Sequence, residues 1–297
     1  MMMKMRNKNT LLVGLLCILM SACSTTKNLP EGETLYTGID KLEVVNEDKT
    51  LAGITALTEV EAALAYAPNN AIFGSSSLRW PVPFGLWVYN GFEKYQDKKG
   101  IGRWIFDHLG KSPVLMSSVN GETRAKVATN LLHDYGYFNG SVSYKEVPQK
   151  NPKEAKVSYV IDMARPYFLD SIAYLKYPHY ADSLIQSTRS LSVLKSEENF
   201  SVIKLEEERQ RLSNLFRNHG YYYYRPEFTT YRADTLQKSG YVSLQVLPRN
   251  GIPAEAKKQY YIGNTSVYLT GYDNEPPTDT RRLRTMTFYY SGKKPGI

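Results

Sequence analysis

Few residues of this 297-residue chain have the types and spacing that chemistry at a protein site requires. The four histidines lack the close His or Cys neighbours of a metal site, and the chain contains no Gly-x-Ser-x-Gly motif and no phosphate-binding glycine loop. Gly100-Ile101-Gly102 is too short to cradle a phosphate, and Glu206 and Glu207 are helix neighbours that point in different directions. We therefore predict no catalytic residue, no metal ligand and no cofactor, which argues against an enzyme. The histidines are His108, His133, His179 and His219.

Cys23 is the residue whose sequence context does predict chemistry. A basic start is followed by an apolar run over residues 11–20, which is shorter than the ~20 residues that span a bilayer, and then by small residues. Residues 19–23 resemble a bacterial lipobox, in which Met20 is a less usual residue. The resemblance implies that residues 1–22 are removed and that Cys23 receives a diacylglycerol and an acyl chain, which together anchor more firmly than a single chain. The alternative is an ordinary signal peptide with a chance cysteine.

The cysteine content and the net charge argue against several further kinds of site and partner. The second cysteine, Cys17, lies in the apolar run that is removed, so no disulfide or thiolate metal site is expected. The full chain carries 37 cations and 29 acids, a net charge of +8. Removal of residues 1–22 would remove three cations and no acids. The remaining 34 cations and 29 acids give a net charge of +5 and are dispersed along the chain. A net positive charge this small and dispersed argues against a nucleic-acid partner.

A nine-residue pattern occurs twice and organises the rest of the chain. Residues 130–138 and 214–222 share Asn-Leu-apolar followed by Gly-Tyr-aromatic, and each copy ends an apolar helical pattern. Gly136 and Gly220 stand where a helix ends in a left-handed residue, a conformation that glycine adopts at little cost. The helix faces predicted to be buried comprise Val127, Leu131, Leu132 and Tyr135 in the first copy and Leu205, Leu212, Leu215 and Phe216 in the second.

Each of these helices is followed by two extended segments that predict a hairpin. The hairpin segments are residues 138–147, 156–163, 223–232 and 240–247. The four tyrosines at 221–224 are predicted to alternate between the two faces of a strand. A further extended segment opens each unit, at residues 36–44, 167–174 and 261–268. The predicted order in a unit is therefore strand, helices, strand, strand.

The chain is predicted to contain a leader, two full modules and the start of a third. Helices are predicted over residues 55–67, 104–109, 181–194 and 197–219, and a strand over residues 281–290. The acids Glu206, Glu207 and Glu208 precede arginines on the last helix, which predicts a solvated, ion-paired face. The predicted segments are a signal peptide over 1–22, a lipidated tether over 23–34, a first module over 35–163 with an insertion at about 68–117, a second module over 164–250 and the start of a third over 251–297.

The predicted insertion contains all three tryptophans of the chain, Trp80, Trp87 and Trp104. Two interpretations stay open at this point. In the first, the insertion packs a small aromatic core of its own on the first module. In the second, it presents an aromatic surface to lipid headgroups or to a partner, because Trp and Tyr favour such interfaces.

The module order and the Gly-Tyr signature resemble the polypeptide-transport-associated (POTRA) domain of the BamA/TamA family, over about residues 35–290. That domain is a β-α-α-β-β module found in periplasmic arrays in front of an outer-membrane barrel. The resemblance implies an α+β fold of tandem POTRA-like modules, the last one incomplete, with no barrel in this chain. Residues 29–39 further resemble the lipoprotein type found in Bacteroidetes. The alternative is two unrelated α+β folds that share a helix cap and a tyrosine.

The resemblance implies binding and not chemistry. The array would face the periplasm at the outer membrane, since no acid directly follows Cys23, and would bind outer-membrane lipid through Cys23. Its modules would add strands of unfolded outer-membrane protein clients or other assembly components to open sheet edges, which we predict at residues 141–144 and 227–230. A C-terminal barrel missing from this chain is a further expected partner. The alternative is a stand-alone structural or adaptor lipoprotein of the outer membrane.

Overall fold

A computed structural model describes residues 25–269 and 276–291. The predicted signal peptide and the predicted lipid site at Cys23 lie outside the described residues. The chain divides into two compact units. The first contains the described residues up to Leu169 with Glu197–Ile203 and Thr235–Val242, and the second contains Asp170–Ser196, Lys204–Asp234 and the described residues from Ser243 onward. The module limits inferred from the sequence stay a prediction.

Three sheets of three strands are described, together with helices, so the predicted α+β class is confirmed. The strands are β1 Leu35–Val45, β2 Ser141–Pro148, β3 Glu154–Asp162, β4 Phe168–Tyr174, β5 Thr229–Asp234, β6 Tyr241–Pro248, β7 Thr265–Leu269, β8 Asp279–Leu283 and β9 Met286–Tyr290. The sheet orders are β1-β3-β2, β4-β6-β5 and β7-β9-β8. In each sheet, the strand that comes last in the sequence therefore lies between the other two. In each sheet the central strand runs antiparallel to its hairpin partner. One strand order is therefore used three times.

Helices lie between the opening strand and the hairpin of the first two sheets. The described α-helices are α1 Leu51–Leu64, α2 Phe84–Phe92, α3 Ile101–Leu109, α4 Met116–Val119, α5 Gly121–Asp134, α6 His179–Ser187 and α7 Val202–Asn218. Short 3-10 turns occupy Glu93–Tyr95, Arg189–Leu191, Pro226–Phe228 and Glu255–Lys257. Within the described ranges, no helix has the length and apolar character needed to cross a membrane.

The predicted single strand over residues 281–290 is wrong, because a turn divides this segment into two strands. Arg284 has a φ of +51° and forms the turn with Thr285, so that Leu283 pairs with Met286 across the hairpin. Two-residue hairpin turns favour positive φ, but Arg-Thr is not a typical sequence for them, so the turn was not visible in the sequence. β7 pairs in parallel with β9, which completes a third, three-stranded sheet where an opening strand and one further strand were expected.

The core of the first module lies between its sheet and the helices α1 and α5. Alternate residues of β3, from Ala155 to Ile161, are at most 5% exposed and face the helices. The helix α1 begins after Thr50, whose side chain accepts a hydrogen bond from the amide of Gly53, and it ends at Leu64. The helix therefore begins before the predicted residue 55, because the Thr50 cap starts it earlier, and it ends before residue 67, because Ala65 adopts an extended conformation.

The buried face of α5 also differs from the prediction. Ala125, Ala128 and Leu132 are buried, whereas Val127 is 48% exposed. Ala56 of α1 is fully buried as well, and α1 and α5 are in contact. Small side chains on both helices allow this close approach. The buried face of α5 therefore contains its alanines rather than the larger apolar residue Val127.

Two predictions in the second module are corrected. The helix α7 begins at Val202 and not at residue 197, because residues 197–200 form backbone hydrogen bonds with the start of β4. The tyrosines at 221–224 form a turn and not a strand, since the amide of Tyr224 donates to the carbonyl of Tyr221 at 2.9 Å. Of the four, Tyr224 is buried, and the hairpin strand begins only at Thr229.

The repeated Gly-Tyr segment has the same backbone hydrogen bonds in both copies. The amides of Gly136 and Tyr137 donate to carbonyls three and five residues earlier, both at 2.9 Å. Those of Gly220 and Tyr221 do the same at 3.1 and 3.0 Å. With φ values of +90° and +93° at the glycines, each segment is a Schellman motif. The predicted left-handed glycines are confirmed.

Tyr137 is fully buried behind this motif, and its hydroxyl donates to Asp48 Oδ2 at 2.7 Å. Burial opposes ionisation of Asp48, but hydrogen bonds from Tyr137 and from Thr50 lower its pKa below the ordinary value. We expect Tyr137→Phe to lower the free energy of unfolding at pH 7 by about 1.5–3 kcal/mol, the range for a hydrogen bond to a charged group.

The same pair predicts a pH dependence. The depressed pKa means that the Asp48 contribution is complete above the ordinary aspartate pKa of ~3.9 and is lost as the pH falls through the lower native pKa. Urea unfolding of the wild type and Tyr137→Phe between pH 7 and pH 3 measures this. The difference between the two proteins should shrink on acidification, and a constant difference would contradict the assignment.

Candidate functional site

The outer edge of β1 is covered by the segment that leads into α4 and α5. Tyr36 donates its amide to the carbonyl of Val114 at 2.8 Å, and the amide of Met116 donates to the carbonyl of Thr34 at 2.9 Å. Arg79 binds the carbonyl of Thr37 at 3.2 Å, and β1 is interrupted by two register shifts. This edge therefore offers no continuous row of backbone groups to another strand.

The start of β4 is covered in the same way by residues 197–200. Leu169 donates its amide to the carbonyl of Glu198 at 2.8 Å and accepts from the amide of Glu197 at 2.7 Å, while Phe200 donates to Tyr167 at 2.8 Å. Residues 197–200 precede α7 as residues 114–115 precede α4 and α5. In both modules, the segment ahead of the long second helix covers the edge of the opening strand.

β2 is the open edge of the first sheet, and its register shows which groups face outward. The amide of Val142 donates to the hydroxyl of Thr129 at 2.9 Å and so does not bind β3. Alternate residues of an antiparallel strand bind the neighbouring strand, so the even-numbered positions of β2 face away from β3. Pro148 has no amide hydrogen. Tyr144 and Glu146 therefore carry the outward N–H donors of this edge.

β5 is the corresponding edge of the second sheet. The carbonyl of Phe228 accepts from the amide of Arg249 on the inner side at 2.7 Å. The same alternation then places Tyr231 and Ala233 on the outer side, beyond Thr229, which is buried. Each module thus has one short open edge with two outward donors on its exposed stretch.

These edges largely coincide with the predicted ones. Residues 141–144 lie in β2, as expected. The prediction for residues 227–230 is half wrong, because Pro226–Phe228 forms a 3-10 turn and the strand begins at Thr229. Proline at the first position favours such a helical turn, because its ring fixes φ near −65°.

Aromatic side chains support both edges. The ring of Tyr144 lies against Gly121, where a Cβ atom would approach within 2.8 Å of it. The hydroxyl of Tyr231 donates to the carbonyl of Leu205 in α7 at 2.6 Å, and burial raises the pKa of Tyr231. The edge strands are therefore held on the helices, which keeps their backbone extended for a partner.

One buried polar cluster was missed by the sequence analysis. Glu208 is fully buried, so the predicted solvated face is wrong for this residue. Its carboxylate accepts from the hydroxyl of Tyr174 at 2.5 Å, from the guanidinium of Arg211 at 2.6 and 2.9 Å, and from the amide of Val193 at 3.2 Å. Burial, followed by the hydrogen bond to Glu208, raises the pKa of Tyr174 to about 12.

The histidines are not brought together. His108 and His219 each bind a carbonyl one turn back in their own helix segment, and His133 binds the carbonyl of Gly140. Across residues 25–269 and 276–291, no group of three His, Cys, Asp or Glu residues could hold a metal ion. Glu206 and Glu207 are exposed on α7.

Comparison with known proteins gives matches among solved structures. No family model and no curated protein matches the chain. POTRA3-5 of Haemophilus influenzae BamA matches with a TM-score of 0.29 and 10% identity, over 75% of this chain and 100% of that one. POTRA1-3 of the periplasmic domain of Omp85 from Anabaena matches with 0.30 and 12%, over 84% and 70%. The N-terminal domain of Omp85 from Thermosynechococcus elongatus matches with 0.27 and 15%, over 85% and 74%.

The first two modules of this chain have the β-α-α-β-β order themselves, the first with extra helices between its two long ones. Their fold is POTRA-like. Identities of 10–15% and TM-scores of 0.27–0.30 say nothing about function, so we base the functional proposal on the sheet edges of this chain.

Proposed function

We propose that this chain is a periplasmic, lipid-anchored array of POTRA-like modules at the outer membrane, of the lipoprotein type found in Bacteroidetes. It binds unfolded outer-membrane proteins or other assembly components as strands added to β2 and β5. The supporting observation is the asymmetry of the edges in the first two sheets: among the described residues, backbone hydrogen bonds from a further segment cover the outer edges of β1 and β4 but not those of β2 and β5. Backbone hydrogen bonds from two outward donors tolerate many client sequences.

Proline at an outward position tests strand addition without breaking the sheet. Glu146→Pro removes an N–H that faces away from β3, and edge strands tolerate proline there. We expect at least a tenfold loss of capture of a urea-denatured outer-membrane protein diluted onto the chain. Capture is measured by cross-linking from a photoreactive residue in place of Lys145, and unfolding free energy should change by less than about 1 kcal/mol.

Glu146→Ala is the matched control, because it removes the same side chain and keeps the N–H. It should retain full capture. Ala233→Pro and Ala233→Ser provide the same comparison on β5, with the photoreactive residue in place of Arg232. Capture that survives both prolines would rule out strand addition at these edges.

A second candidate function is a stand-alone structural lipoprotein that links the outer membrane to a folded partner. The large exposed aromatic side chains of the insertion favour it, because they suit a fixed interface. In that case cross-linking in cells recovers a folded envelope protein, and the two proline variants leave its recovery unchanged.

A further inference from the structure

The polar residues that follow the predicted lipid site are fixed to the first module. Thr25 Oγ1 donates to Glu154 Oε1 at 2.5 Å. Asn90 of α2 donates its side-chain amide to the carbonyl of Thr25, and its own carbonyl accepts from the side chain of Asn28, both at 3.3 Å. Asn90 is itself only 8% exposed. This part of the predicted tether is therefore bound to α2 and to the start of β3.

This attachment limits how far α2 can lie from a lipid on Cys23. Cys23 precedes Thr25 by two residues, which an extended chain spans in at most about 7 Å. Phe84, at the start of α2, precedes Asn90 by six residues, or about 9 Å along the helix. A lipid on Cys23 would therefore hold α2 close to the bilayer surface, together with α3, whose Phe106 ring lies 5.1 Å from the ring of Tyr89 in α2.

The insertion that contains α2 is unusually apolar on its outside. Leu86 and Val88 of α2 are buried. Six large apolar side chains of the insertion are each at least 55% exposed. They are Phe73, Leu78, Trp80, Phe84, Ile101 and Trp104. We call these six residues the apolar set.

The helix α3 and the charge of the insertion both suit a lipid surface. Ile101, Trp104 and His108 share one face of α3, and the rings of Trp104 and His108 stack at 4.8 Å. Residues 68–117 contain six cations and three acids, a net charge of +3. Basic residues beside exposed Trp and Phe are typical of segments that lie in the interface of an anionic bilayer.

We infer that the insertion is a bilayer-docking surface, on which the apolar set enters the headgroup layer. The amino-terminal segment bound to Asn90 keeps the insertion at the bilayer, so the inference rests on the proposed lipid anchor at Cys23. The partner is the lipid surface itself. Docking adds a second membrane contact to the anchor and fixes the first module at the bilayer.

Tryptophan fluorescence tests this inference directly, because all three tryptophans lie in the insertion. The full-length chain, purified after processing in cells, is reconstituted in phosphatidylethanolamine–phosphatidylglycerol vesicles with or without brominated acyl chains. We expect the brominated lipids to quench at least half of the emission. The double variant Trp80→Phe/Trp104→Phe should lose most of this quenching, whereas the matched control Trp87→Phe should keep it, since Trp87 is partly buried and its indole nitrogen is inaccessible.

Mass spectrometry of the same sample separates the two proposals. If Cys23 carries lipid and the tryptophans are quenched by acrylamide and not by brominated lipid, the docking surface is wrong and the anchor stands. If Cys23 carries no lipid, the anchor proposal fails and the docking inference fails with it. Lipid on Cys23 together with quenching that depends on Trp80 and Trp104 supports both.

Discussion

Gly136→Ala is expected to lower the free energy of unfolding of the first module by about 2–5 kcal/mol. The backbone at Gly136 has a φ of +90°, which costs a residue with a Cβ atom about 1–2 kcal/mol. The added Cβ would also lie 2.6 Å from the carbonyl oxygen of Phe200, a backbone atom that cannot move away alone. Overpacking of this kind adds about 1–3 kcal/mol.

Gly74→Ala is the matched control for the backbone part of this effect. Gly74 has a φ of +77°, but apart from its chain neighbours no atom lies within 4 Å of the place that a Cβ would take, so only the conformational cost of about 1–2 kcal/mol applies. Urea unfolding followed by tryptophan fluorescence reports on both variants, because all tryptophans lie between β1 and β2. Equal losses of unfolding free energy in Gly136→Ala and Gly74→Ala would show that the close contact with Phe200 does not contribute to the effect.

The repeated glycine also contacts the segment that leads into the next sheet. The carbonyl of Gly136 accepts from the amide of Tyr167 at 2.9 Å, directly before β4. The carbonyl of Gly220 accepts from the amide of Tyr260 at 2.7 Å, ahead of β7. A side chain at either glycine would therefore disturb both the helix end and the segment that follows. This dual role explains why the Gly-Tyr pattern is the most visible repeat in the sequence.

Local patterns predicted the parts of the fold that depend on local physics. The alternation in Val157–Ile161 of β3 and in Val242–Val246 of β6 indicated the central strands, because both strands are buried on one face. The glycines at 136 and 220 indicated the helix ends, because few other residues adopt a φ near +90°. The existence and order of these elements could therefore be predicted from the sequence.

Long-range pairing could not be predicted in the same way. The cover over β1 comes from Val114 and Met116, some 80 residues away, and nothing in their types distinguishes them from a loop. Glu197 likewise looked like the start of a helix, although it adopts a φ of +65° and pairs with β4. The sequence indicated both hairpin edges, but it could not decide which edge of each sheet is open.

Glu208 shows why a charge pattern does not determine burial. Glu206, Glu207 and Glu208 are consecutive, so each points about 100° from the next around α7, and only one of the three can face the core. Glu208 occupies the inward position in line with Leu212 and next to Arg211, which follows it by three residues. The signal that could have identified it is the spacing of four residues to a core leucine.

Glu208→Ala is expected to lower the free energy of unfolding of the second module by about 3–5 kcal/mol, because it leaves the guanidinium of Arg211, whose side chain is only 16% exposed, without its carboxylate. The hydroxyl of Tyr174 and the amide of Val193 lose their acceptor at the same time. Glu207→Ala removes the same charge from an exposed position one residue earlier and should cost less than about 0.5 kcal/mol. Urea unfolding followed by far-UV circular dichroism, with amide exchange of α7, measures both variants.

A paired substitution separates the cost of an unpaired charge from the cost of a cavity. If the loss in Glu208→Ala comes from the stranded cation, then Glu208→Leu/Arg211→Met, which removes both charges, should recover at least half of it, because buried ion pairs are often replaceable by apolar residues of similar volume. If the loss comes from the missing volume and from the Tyr174 hydroxyl that has lost its acceptor, the single variant Glu208→Gln should recover more of the unfolding free energy than the double variant does. Near-equal unfolding free energies for Glu208→Ala and Glu207→Ala would contradict the cluster altogether, since burial is what distinguishes the two carboxylates.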